Sequence, residues 1–209
     1  GQEGDLLKGE IKQTVPYLVY SLKTRKGDLY VKTHLVGGYN FDNAMAASAI
    51  GMHFGIDPLD IQTAIENYRP SNLRSQLIRS GRNTIILDAY NANPSSMQAA
   101  VGNFLAEPLG KRQHRVLILG DMLELGEWSL HEHTAIIRQA AQAPDAELLL
   151  VGEEFARAYA SLPEKPARTT LCPTREELLS LLSLSPVENA LVLLKGSRGI
   201  GLEKAIPEL

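Results

Sequence analysis

Three short stretches of the 209-residue chain gather side chains able to hold a ligand. In "TIILDAYNANPSSMQAAV", Thr84 to Val101, an apolar run gives way to Asp88, Tyr90, Asn91 and Asn93 before a helix-like segment follows Pro94. In "KGSRGIGLEKAI" the donors Lys195, Ser197 and Arg198 sit among glycines, a set suited to a carboxylate or a phosphate. In "LGDMLELG" Asp121 and Glu124 lie between Gly120 and Gly126. Together these residues point to a binding edge for a polar ligand.

Each stretch also has a plainer reading. Asn93 followed by Pro94 suits a helix start, with the amide as cap and the proline at the first helical position. That role leaves Asp88, Tyr90 and Asn91 unexplained. The glycines of "LGDMLELG" fit tight turns, with Asp121 and Glu124 in solvent. "KGSRG" can be a surface turn.

Other chemistries find no foothold. The chain has no CxxC, no G-x-S-x-G, no H-E-x-x-H and no G-x-x-x-x-G-K-[ST], and "GIGLEK" lacks the dinucleotide spacing. His131 and His133 fall on different faces of a helix, which disfavours a zinc pair. His34, His53 and His114 are isolated. No metal site is expected within this chain. The lone Cys172 excludes an internal disulfide and fits a reducing compartment.

The elements that must position these residues follow from the pattern of apolar runs. After Thr84, "TIILDAY", "RVLILGD", "AELLLVG", "RTTLCP" and "NALVLLKG" alternate with helical stretches beginning near Asn93, Ser129, Glu153 and Thr174. Ser129 with Glu132, and Thr174 with Glu177, have the capping-box spacing. Continuous apolar strands separated by helices predict an α/β fold with a mostly parallel sheet covered on both faces. Ligands of such a sheet bind beyond the carboxyl ends of the strands, where all three polar stretches fall.

The first third of the chain reads differently. "IKQTVPYLVYSLKTRKGDLYVKTHL" alternates around "TRKGD" and predicts a two-stranded hairpin. "YNFDNAMAASAIGMHFG" predicts a helix of small residues. "DPLDIQTAIENY" predicts a second, with Asp57 as cap and Pro58 at the first helical position. "RPSNLRSQLIRSGRN" is the best linker candidate.

Composition narrows the class. With 44% hydrophobic residues and 22% charged, the chain can bury a substantial core. A net charge of −3 and the lack of a basic stripe give no reason to expect nucleic acid. No apolar run approaches the roughly 20 residues of a membrane span, and "GQEGDLLKGE" is no signal peptide. A cytoplasmic location is expected. The abrupt start without Met suggests a piece of a longer protein.

Taken in order, "GGYNFDNAMAASAIG", "DAYNANPSSMQAAV", "LILGDMLELGEWSLHEH" and "LLKGSRGIGLEKAI" resemble the D-alanyl-D-alanine-adding branch of the Mur ligase family. The likeness runs from about Val36 to Leu202. "YNANP" and "GDMLELG" separate it from sister Mur ligases and from folylpolyglutamate synthetase. The resemblance implies three domains in the whole enzyme. Residues 1–70 would be the α+β tail of the central ATP-binding domain, and residues 71–209 a Rossmann-like carboxyl-terminal domain. It implies ATP and Mg2+ as cofactors, with the phosphate loop, metal carboxylate and carbamylated lysine outside this sequence.

The implied reaction is ATP-driven addition of D-alanyl-D-alanine to UDP-N-acetylmuramoyl-tripeptide through an acyl phosphate, in peptidoglycan precursor synthesis. A monomer is implied, inactive when reduced to this chain. The resemblance assigns adenine to Asn40 and Asn43, whose plainer reading is a cap and helix surface, the cap suiting Asn40. It assigns phosphates or ribose to Arg74, where Leu73 replaces the family's usual glycine. Asp88, Tyr90 and Asn91 would close over ribose and phosphates, and Lys195, Ser197 and Arg198 would hold the dipeptide carboxylate. An Asp88 present only for nucleotide would be dispensable to stability. From the residues alone, a non-catalytic α/β module binding a nucleotide or a protein partner satisfies the same pattern.

Overall fold

A computed structural model describes residues 7–24 and 27–209. The Arg25–Lys26 centre of the expected "TRKGD" turn, and the start of "GQEGDLLKGE", lie outside the described residues. The chain divides into two compact units, Gly1–Ser71 and Asn72–Leu209.

In the first unit, β1 (Lys8–Gln13), β2 (Val19–Thr24) and β3 (Gly27–Lys32) form an antiparallel sheet in the order β1-β2-β3. The expected hairpin is therefore two-thirds of a three-stranded sheet. β1 escaped the pattern because "KGEIKQ" is an edge strand exposed along almost its whole length. Leu18, Tyr20, Leu22 and Val31 are buried against Ala44 of α1 (Asn40–His53). Asp57 caps α2 (Pro58–Asn67), its carboxylate accepting the Leu59 N–H at 3.0 Å, with Pro58 in the first turn.

The second unit carries a six-stranded sheet in the order β4-β5-β9-β6-β7-β8. Its strands are β4 (Gln76–Ser80), β5 (Asn83–Asp88), β6 (His114–Gly120), β7 (Ala146–Val151), β8 (Thr169–Cys172) and β9 (Ala190–Lys195). β5, β9, β6, β7 and β8 run parallel, and β4 is antiparallel at the edge. A third of the expected linker is thus β4. Its polar sequence suits an edge strand whose residues are mostly half-buried.

Four helices connect the parallel strands: α3 (Pro94–Ala106), α4 (Ser129–Ala140), α5 (Glu153–Ser161) and α6 (Arg175–Leu184). The first three crossovers step outward from β5 to β8, and the last steps back to place β9 between β5 and β6. With right-handed crossovers the reversal puts α3, α4 and α5 on one face and α6 on the other. Consistently, α4 packs beside both α3 and α5, while α6 packs on the closing 3-10 segment Leu202–Glu208. Alternate residues of each strand serve the two faces. Ile85, Leu87, Val116, Ile118, Val192 and Leu194 join Leu178 and Leu182 of α6 in one buried cluster. No helix of the described residues is long and apolar enough to cross a membrane.

The helix starts show which local signals hold. Asn93 caps α3 in a reciprocal box: its side chain accepts the Ser96 N–H at 2.9 Å, and Ser96 Oγ accepts the Asn93 N–H at 3.1 Å. Asn93→Ala is expected to cost about 1 kcal/mol of unfolding free energy. Chemical denaturation checks it, and an unchanged midpoint would show that the box contributes nothing. Thr174 caps α6 by accepting the Glu177 N–H at 3.2 Å, while its hydroxyl donates to the Glu177 carboxylate, so only half a box forms. The Ser129–Glu132 box does not form. Trp128 precedes α4 with helical dihedrals and no side-chain cap, because the 3-10 turn Gly126–Trp128 runs straight into the helix. Asn40 is likewise no cap: Tyr39 occupies that position, and the Asn40 amide donates to Val36 O at 2.8 Å.

Candidate functional site

Parallel register decides what meets at the carboxyl edge of the sheet. Asp88, the last residue of β5, lies opposite Lys195, the last of β9. Lys195 Nζ donates to Asp88 Oδ2 at 2.8 Å and to the Asn91 carbonyl at 3.2 Å. The lysine is 1% exposed. Two residues assigned by resemblance to different ligands therefore form one buried ion pair, which with the Asn91 carbonyl engages two of the three Lys195 ammonium donors.

The turn after β5 is held from the other side. Leu73 O accepts the N–H groups of Ala89 and Tyr90 at 2.8 and 3.2 Å. Leu73 has φ 60°, the left-handed region that favours glycine, at the position where the resemblance expects one. This backbone brings Arg74 over the Tyr90 ring, its guanidinium carbon 4.0 Å from the centroid. Arg198 approaches the same ring at 5.3 Å. Both arginines are exposed, and neither has a carboxylate partner among the described residues. Tyr90 thus carries two guanidiniums on its ring, each attracted by the π-cloud but left with donors to offer. Asn91 is exposed, its side-chain oxygen accepting the Ala92 N–H at 2.9 Å.

Ser197 is turned inward and 5% exposed. Its Oγ accepts the Leu123 N–H at 3.0 Å, and its own N–H donates to Asp121 O at 3.0 Å. The segment after β9 is thereby stitched to the one after β6.

Asp121 is not the solvated carboxylate the sequence suggested. It is buried, and its two oxygens accept the N–H groups of Glu154 at 3.0 Å and Phe155 at 2.9 Å, capping α5 from another strand. Burial pushes its carboxyl above the usual range, while the two amides pull it back. Beside it, His133 Nε2 accepts the Met122 N–H at 3.0 Å, so the ring proton lies on Nδ1, facing Ser129 O at 2.8 Å. The 3.7 Å approach of His133 to Asp121 is therefore not an ion pair. The signals for this network were the Asp immediately after β6 and the glycine, Gly152, that precedes α5.

The structure thus gathers Arg74, Asp88, Tyr90, Asn91, Lys195, Ser197 and Arg198 on one edge of the second unit. Asn40 and Asn43 lie in the first unit, joined to each other by a 3.3 Å amide contact. The edge can bind anions through its arginines. It does not fit a magnesium ion, since Asp88 is engaged by Lys195 and Asp121 by α5. No group of three His, Cys, Asp or Glu among the described residues could hold a metal.

Residues 73–198 match the family model described as "Mur ligase, glutamate ligase domain". The chain belongs to the Mur ligase family. Among Mur ligases it is similar to the UDP-N-acetylmuramoyl-tripeptide–D-alanyl-D-alanine ligase of Bacillus subtilis, with 30% identity over all of this chain and 46% of that protein. The ligase of the same name from Escherichia coli is 35% identical over 91% of this chain and 41% of its own length. A crystal structure of MurF from Acinetobacter baumannii superposes with a TM-score of 0.85 at 28% identity, covering all of this chain and 46% of that one. The chain spans just under half the length of these relatives.

Proposed function

We propose that this chain is the carboxyl-terminal portion of an ATP-dependent ligase that adds D-alanyl-D-alanine to UDP-N-acetylmuramoyl-tripeptide. In this reading the first unit is the end of the central ATP-binding domain, and the whole protein works in the cytoplasm on peptidoglycan precursors. The observation that carries it is the pair of carboxylate-free guanidiniums on Tyr90, at the sheet edge of a Mur ligase domain.

The chemistry asks for such a group. Activating a carboxylate as an acyl phosphate and attacking it with an amine requires charge neutralisation and two oriented substrates. ATP supplies the phosphoryl group, and a magnesium ion would be held by residues outside this chain. Arg74, Tyr90 and Asn91 would meet ribose and phosphates, with Asp88 beneath them holding Lys195. Asn40 and Asn43 would serve adenine, an amide matching the donor and acceptor of a purine edge. Arg198 would take the dipeptide carboxylate, with Lys195 and Ser197 forming the floor of that subsite.

The test is ADP release from ATP, UDP-N-acetylmuramoyl-tripeptide and D-alanyl-D-alanine. The full-length protein is expected to be active and this chain alone inactive, because no phosphate-loop motif lies in it. In the full-length protein, Arg74→Ala is expected to raise KM for ATP, and Arg198→Ala KM for the dipeptide, each by about tenfold or more. Dipeptide-independent turnover, or equal effects of both variants on both substrates, contradicts the assignment.

A further inference from the structure

We infer that His133 is a positioning residue for the dipeptide side of the site, acting through the backbone of the segment after β6. The inference rests on the ligase reading above for its substrate, though not for its geometry.

His133 is 0% exposed and so touches no ligand. It lies one turn into α4, with its ring edge-on to Phe155 of α5 at 4.6 Å between centroids. Two bonds fix the ring plane: Nδ1–H to Ser129 O at 2.8 Å, and Nε2 accepting Met122 N–H at 3.0 Å. Met122 sits between the two residues whose backbones hold Ser197. Asp121 O accepts the Ser197 N–H, and the Leu123 N–H donates to Ser197 Oγ, each at 3.0 Å. Ser197 in turn lies between buried Lys195 and exposed Arg198. Two sets of hydrogen bonds, joined only through the covalent backbone of residues 121–123, therefore connect the imidazole to the residue before Arg198.

A buried ring with only a packing role does not need an acceptor at Nε2. Met122 is 1% exposed, so without that acceptor its N–H would have no obvious route to water. The cheapest response is a shift of residues 121–123, and Ser197 would shift with them. Arg198 would then present its guanidinium from a displaced backbone.

The test compares His133→Phe, which keeps a ring but removes the acceptor, with His133→Gln, whose amide oxygen can reach the Nε2 position. In the full-length enzyme His133→Phe is expected to raise KM for D-alanyl-D-alanine about tenfold, with kcat and KM for ATP changed less than about threefold. His133→Gln should recover most of that loss. In this chain, His133→Phe should speed amide hydrogen exchange at Met122, Leu123 and Ser197 about tenfold, leaving β9 unchanged. The exchange result stands even if the wild-type enzyme proves to use another substrate, which separates failure of the ligase reading from failure of this one. Equal effects on both substrates, no rescue by glutamine, or unchanged exchange at Met122 overturns the inference. So does a Phe variant that fails to fold, since His133 would then be a determinant of the fold rather than of the site.

Discussion

Lys195→Met is expected to cost about 3–5 kcal/mol of unfolding free energy, because it leaves the Asp88 carboxylate without its partner. Methionine keeps most of the side-chain volume, so a packing loss contributes little. The Asp88 side chain is 12% exposed and sits at the sheet edge, so water can reach it in part and the loss should fall toward the lower figure. The lysine is the deeper member, with 1% side-chain exposure and two acceptors, Asp88 Oδ2 and Asn91 O. Removing the other partner strands a more deeply buried charge, and Asp88→Ala should be at least as harmful. Asp88→Asn keeps an acceptor but not the charge, and should cost less. The buried ion pair argues against an Asp88 present only for nucleotide, the case in which it would be dispensable to stability. The double variant Asp88→Leu with Lys195→Met should recover much of the loss, since replacing both members by apolar groups removes the stranded charge. Urea denaturation of these four variants, together with the single Asp88→Leu, decides it. If the double variant is as unstable as the sum of the two singles, the ion pair is not what holds these strand ends.

Gly152→Ala is expected to cost about 3 kcal/mol, from strain and from a lost cap. Gly152 precedes α5 with φ 117° and ψ 167°, a region essentially closed to residues with a Cβ. A methyl group there would also clash with the Asp121 carboxylate, with Oδ2 nearest. Either the backbone moves or Asp121 withdraws, and withdrawal frees the Glu154 and Phe155 amides it caps. Gly81 provides the control. Its φ is 54°, and an added Cβ meets nothing within 4 Å, so Gly81→Ala should cost only about 1 kcal/mol. Thermal and urea unfolding of the two variants measure the difference. Equal losses would mean that the contact between β6 and α5 adds nothing to the backbone term.

Much of this was legible in the residues. "TIILDAY", "RVLILGD", "AELLLVG" and "NALVLLKG" announced strands because a strand buried on both faces is apolar at every position, a purely local property. Asn93, Asp57 and Thr174 announced helix starts because a cap needs only a short acceptor next to free N–H groups. The same local logic failed at Ser129, where a preceding 3-10 turn had already set helical dihedrals, and at β4, whose pairing compensates for a polar sequence. It placed Asp88 and Lys195 on one edge but could not pair them. Their partnership depends on β9, the last strand in the chain, entering between β5 and β6 and aligning its final residue with that of β5. Nothing local to either residue encodes that register. It follows from crossover handedness and from burying both faces of every central strand, terms summed over the whole second unit. The same summation carried Asp121 onto the start of α5, where an apparently solvated carboxylate became the cap of a distant helix.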